Sequence, residues 1–119
     1  MGEPTFSLQV GSSANGVPVL TFHGYYSQQG GEAVEAQVAA ALDRGQKNVI
    51  LDLTKCTIIN SPGIAKLMDV VMKVVDDFRG KLVLVGLDNS KKQFLTMTGV
   101  LPLATAVSTL AEAERAMSG

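Results

Sequence analysis

The sequence holds one cysteine, one histidine and no tryptophan in 119 residues, and each scarcity removes a class of chemistry. A single thiol, Cys56, cannot close an intrachain disulfide, and with His23 it makes too small a set of ligands for a zinc site. Asp76 and Asp77 are neighbours in a helix-forming stretch and point in different directions, so they do not complete one. No metal and no cofactor is expected. Nucleophilic catalysis asks for a serine or cysteine beside a base, and the one imidazole stands at the end of an apolar run, where it reads as a structural residue. Lys55 and Thr57 could lower the thiol pKa of Cys56, yet a small apolar residue leading into a turn accounts for it more simply. The chain is expected not to be an enzyme.

Charge of one sign is missing as well. Ten basic residues stand against eleven acidic ones, a formal net charge of −1. No Lys/Arg run is longer than Lys91-Lys92, which argues against direct binding of nucleic acid by counterion release. The longest mostly apolar stretch, Ile64 to Val75, contains Lys66, Asp69 and Lys73 and is far shorter than the ~20 residues that cross a bilayer. Met1-Gly2-Glu3-Pro4 lacks the basic and apolar regions of a signal peptide, so a reducing cytoplasm is the expected compartment. What is present is core material: 46% of residues are hydrophobic and 18% charged. That composition and length suit a single domain over residues 1–119, with its core at about residues 6–117.

Periodicity orders this material. Phe6, Leu8 and Val10 alternate with polar residues, and Val17, Val19, Leu20 and Phe22 follow a Gly/Ser/Asn-rich turn, which predicts a β-hairpin. Val34, Val38, Ala41 and Leu42 recur at helical spacing between Gly30-Gly31, read as a flexible turn, and Gly45. Glu32 and Glu35 fall in the predicted first turn, where the helix dipole favours acids. Val49-Ile50-Leu51-Asp52-Leu53 and Leu82-Val83-Leu84-Val85 read as strands buried on both faces. Between them Ile64, Leu67, Met68, Val71, Val74, Val75 and Phe78 mark one face of the best helix, which ends before Gly80. A short helix over Ser90 to Met97, a short strand within Leu103 to Val107, and a last helix with Leu110, Ala113 and Met117 inward complete the chain. Strand and helix alternating after a hairpin predict an α/β fold with a mixed, largely parallel sheet and about four helices.

The junction Ile58-Ile59-Asn60-Ser61-Pro62-Gly63-Ile64 carries polar and turn residues from the end of a central strand into the strongest helix, a place where open α/β sheets put binding sites. Pro62 suits the first helical position and holds Ser61 extended, so Ser61 reads as the N-cap. Gly63 is expected on the contact surface, where the lack of a Cβ permits close approach. A helix start also tolerates added negative charge, so a phosphate on Ser61 could be held there without unfolding the chain.

With this junction in view, the chain resembles the STAS domain family, the sulfate-transporter and anti-sigma-factor-antagonist domains, and within it the free-standing bacterial antagonists. The resemblance spans roughly Phe6 to Met117 and rests on Val49-Ile50-Leu51-Asp52-Leu53, then Asn60-Ser61-Pro62-Gly63-Ile64 opening a helix, then Phe94-Leu95-Thr96-Met97-Thr98-Gly99-Val100. It implies a STAS-like fold, and a protein that binds an anti-sigma factor or serine-kinase-type regulator and frees sigma factor. Asn60, Ser61, Pro62 and Gly63 would be the partner surface. In the family the motif is typically Asp-Ser-Ser-Gly, with the second serine phosphorylated by an anti-sigma-factor kinase. That position is Pro62 here, Ser61 matches the first serine as the one possible phosphorylation site, and Asn60 replaces the usual acid. After Gly24-Tyr25-Tyr26, where the family tends to carry an acid, stands Ser27. The resemblance thus implies an altered phosphoserine switch. Its alternative role is that of a STAS accessory subunit in a signalling assembly or a lipid-transport ATPase complex, and a small-ligand or nucleotide sensor is a third class. The oligomeric state is left open.

Overall fold

The computed structural model describes residues 5–118. The chain runs β1 (Phe6–Ser12), β2 (Pro18–Tyr26), α1 (Gln28–Asp43), β3 (Asn48–Ile59), α2 (Ser61–Val71), β4 (Lys81–Val85), α3 (Asn89–Met97), β5 (Thr105–Val107) and α4 (Leu110–Ser118). One five-stranded sheet has the order β1-β2-β3-β4-β5. Only β1 and β2 are antiparallel, and the other three pairings are parallel. The predicted α/β class, hairpin and helix number are therefore all found. No described helix is long and apolar enough to cross a membrane.

Side-chain alternation along the strands creates two cores. Leu20, Phe22, Val49, Leu51, Leu53, Leu82 and Leu84 face α1, α2 and α3 on one side, packing against Val34, Val38, Leu67, Val71 and Leu95. Val19, Ile50, Val83 and Val85 face the opposite way and meet only α4, through Ala113, Ala116 and Met117. Because consecutive parallel strands are adjacent and α1 to α3 share one face, the strand order never reverses. The sheet therefore has no topological switch point, and the crevice found at such reversals in open α/β sheets is not what forms here.

Four local expectations change. Helix α1 starts at Gln28, capped by Ser27, so Gly30 and Gly31 lie inside its first turns instead of forming a turn of their own. Glu32 and Glu35 consequently lie beyond the first turn, and Glu35 pairs with Lys66 of α2 at 3.3 Å. Strand β3 continues through Cys56 to Ile59, so this cysteine is a buried strand residue. Helix α2 runs on into a π-helical segment, Met72–Asp77, in which the Phe78 N–H reaches back five residues to the Lys73 carbonyl. The wider turn keeps Val74 inside and leaves Phe78 exposed. Leu110, at the first position of α4, is exposed too.

Candidate functional site

Helix α2 begins at the carboxyl end of β3, and its first turn is held by Asn60 instead of Ser61. Asn60 is extended (φ −93°, ψ 177°), and its Oδ1 accepts the Gly63 N–H at 2.8 Å. Its carbonyl accepts the Ile64 N–H at 2.9 Å. Ser61 and Pro62 are then the first two helical residues. A proline costs nothing there, because those N–H groups have no partner within the helix. The cap is fixed in turn by β2: the Asn60 amide donates to the Tyr25 hydroxyl at 2.8 Å, and the Asn60 N–H donates to the Tyr26 carbonyl at 3.2 Å.

The four predicted site residues separate into two kinds. Ser61 and Pro62 are exposed and Asn60 is half-buried, whereas Gly63 is buried. A Cβ at Gly63 would overlap the Tyr26 carbonyl oxygen, so this glycine lets α2 close onto the end of β2. His23 does not approach the site. It flanks Phe22 on β2, whose ring lies in the helix-covered core, so the imidazole faces the other side of the sheet from α2. Among the described residues its Nδ1 has no partner.

Beneath the helix start, burial pushes the Cys56 thiol up to about 11 despite Lys91, so the thiol stays protonated at neutral pH and is a poor nucleophile. Burial likewise raises Tyr26, whose hydroxyl lacks a partner among the described residues. Its ring tilts against Phe22 at 4.7 Å between centroids. No group of described residues has the side chains to hold a metal ion.

An open groove of about 460 Å³ adjoins the turn, between the end of β3 and the start of α3, with Ile58, Asp88, Lys91 and Phe94 among its walls. Ile58 is 56% exposed, and Met97 further along α3 is 81% exposed. Asp88 caps α3 by accepting the Lys91 N–H at 2.8 Å, while the Lys91 ammonium sits 2.7 Å from its other oxygen. The bonds to Lys91 hold the Asp88 carboxyl below the usual carboxylate range. Sequence reasoning singled out Ile58-Ile59 and Phe94 in separate stretches but missed the groove, since its two walls lie some thirty residues apart and only the fold brings them together.

A family model described as the STAS domain matches residues 13–113. The chain belongs to the STAS family. BtrV of Bordetella bronchiseptica, a protein named as an anti-sigma factor antagonist, is 28% identical over 89 residues, 75% of this chain and 76% of that one. Among solved structures, an anti-sigma factor antagonist from Mycobacterium paratuberculosis superposes with a TM-score of 0.81 at 19% identity, over 97% of this STAS chain and 96% of that one. The antagonist SpoIIAA in its unphosphorylated form superposes with a TM-score of 0.75 at 15% identity, over 95% and 99%. The STAS fold here is thus that of the antagonists, with the N-terminal hairpin and the mostly parallel sheet included.

Proposed function

We propose that this STAS chain acts by binding and not by catalysis: the start of α2 docks on an anti-sigma factor, and the bound antagonist frees sigma factor by mass action. The observation that carries this reading is the exposed Ser61-Pro62 pair on a helix start capped by Asn60, whose amide is in turn fixed by Tyr25. A rigid, solvent-facing turn loses little freedom on docking, which favours affinity. Ile58, in the wall of the groove beside it, extends the footprint with apolar surface that solvent otherwise covers, and Met97 further along α3 is exposed as well.

The switch differs from a phosphoserine at the second motif position. Pro62 has no hydroxyl to phosphorylate, and a kinase acting on Ser61 would have to accept a following proline. The test is intact-mass measurement after incubation with ATP and a serine-kinase anti-sigma factor that binds the chain in calorimetric titration. The wild-type mass should stay unchanged, and Pro62→Ser should gain one phosphate. A stoichiometric phosphate on wild-type Ser61 would overturn the lost switch. Failure of every such kinase to bind, with the fold intact by circular dichroism, would overturn the antagonist reading.

A further inference from the structure

We propose that two copies of this chain pair through β1, edge to edge and antiparallel, with Leu8 of each copy on the two-fold axis. Among the described residues, strand β1 is hydrogen-bonded on one side only, to β2. The ladder between them is unbroken from Phe6↔Gly24 to Ser12↔Pro18. Its phase is set at both ends: the Tyr25 N–H donates to the Thr5 carbonyl at 3.1 Å, and the Ser13 N–H donates to the Val17 carbonyl at 2.8 Å. Bonded and non-bonded pairs alternate in an antiparallel ladder, so the odd-numbered residues of β1 face β2. Phe6, Leu8 and Val10 must then direct their N–H and C=O groups outward. Pro18 opposite Ser12 fits the same phase, since that pair exchanges no bonds.

Those three residues are also the apolar ones. A second β1 centred on Leu8 sets Leu8 against Leu8 and Phe6 against Val10, and the three pairs together exchange roughly six backbone bonds. Phe6 stacks on Phe22 at 5.5 Å and Leu8 packs against the helix-covered core, so the joined strands carry one continuous apolar row on that face. Val10, 53% exposed in the single chain, gains a cover. Sheet edges are ordinarily protected by charge, proline, bulges or shortness. Phe6–Ser12 contains no charged residue and no proline, and two copies meet there without like charges opposed. The other edge, β5, has three residues, so growth stops at the pair. A strand of this length spans about 24 Å. Such a join buries less than the ~1,200 Å² at which stable interfaces begin, which makes the pair reversible and dependent on concentration.

Sedimentation velocity over a concentration series into the millimolar range tests this. The wild-type chain should shift from monomer mass toward twice that mass. Val10→Pro removes an outward donor that the β1–β2 ladder does not use, and Val10→Lys adds charge at an exposed position. Both should keep the circular dichroism and melting temperature of the wild type and remain monomeric. A wild type that is monomeric throughout, or a dimer that survives both substitutions, would overturn the proposal.

Discussion

Two helices of this molecule start in the same way from neighbouring strands, and the difference between them marks the site. Helix α1 leaves β2 through Ser27, and α2 leaves β3 through Asn60, each with an extended polar cap and small residues in the first turns. At α1 the start is sunk into the fold: Ser27, Gly30 and Gly31 are all buried, and the cap bond is long, at 3.4 Å. At α2 the cap bond is 2.8 Å and the cap, half-buried, is itself tied to Tyr25, while at both starts the two residues after the cap face solvent. The first start is held by surrounding packing. The second is held by close packing at Gly63 and, in addition, by a short cap bond braced from β2.

Substitutions that exchange these two modes of support give the sharpest tests. The largest effect belongs to Gly63→Ala, because its new methyl meets backbone, the Tyr26 carbonyl, which cannot turn aside. Urea unfolding should show a loss of about 3 kcal/mol, the upper end of the usual overpacking range. Gly30→Ala meets the edge of the Phe22 ring at 2.7 Å and Gly31→Ala the Lys66 side chain at 2.5 Å, and each should cost less than Gly63→Ala. Equal losses at Gly63 and Gly31 would mean that α2 yields as readily as α1.

Next in size is the cap. Asn60→Ala should destabilise by about 1–2 kcal/mol and Ser27→Ala by about 0.5 kcal/mol, as read from denaturation midpoints, because one cap bond is short and braced and the other long. Reversal of that order would remove the distinction. Smaller again is Tyr25→Phe, expected at about 0.5–1 kcal/mol. A double-mutant cycle with Asn60→Ala should show that most of this loss disappears once the amide is gone. The smallest is Ser61→Ala, which should stay within about 0.5 kcal/mol of wild type in stability, since the cap belongs to Asn60 and the Ser61 hydroxyl has no hydrogen-bond partner among the described residues. Any larger effect in titration against a partner then reports on binding alone.

The pattern of what the sequence disclosed follows the range of the interactions involved. Val49 to Leu53 and Leu82 to Val85 announced buried parallel strands because apolar, β-branched runs leave few alternatives, and both are strands. The inward face of α2 was legible from Ile64 to Val74 and failed at Phe78, where the π turn breaks the 3.6-residue period. At the helix start, two adjacent residues can both cap, and Pro62 fits either of the first two helical positions. The choice fell to Asn60, which also bonds Tyr25, thirty-five positions earlier in the chain. Gly30-Gly31 carried a breaker signal of about 1 kcal/mol per glycine relative to alanine. Close approach of α1 to Phe22 and Lys66, where a Cβ has no room, overrides it. Burial of Gly63 and the groove against α3 depend on tertiary placement alone and have no local signature.

The sequential order of the strands bears on how the chain reaches this structure. Among the described residues every strand pairs only with the strands just before and just after it, so none has to be inserted between two that have already joined. The hairpin closes a short loop, whereas each parallel pairing joins residues 22 to 33 positions apart and costs more entropy to close. As synthesis proceeds, each βα unit can add to the edge left by its predecessor, with β3 laid on β2, β4 on β3 and β5 on β4. Assembly in that direction never returns to β1, whose outer edge no other described strand covers.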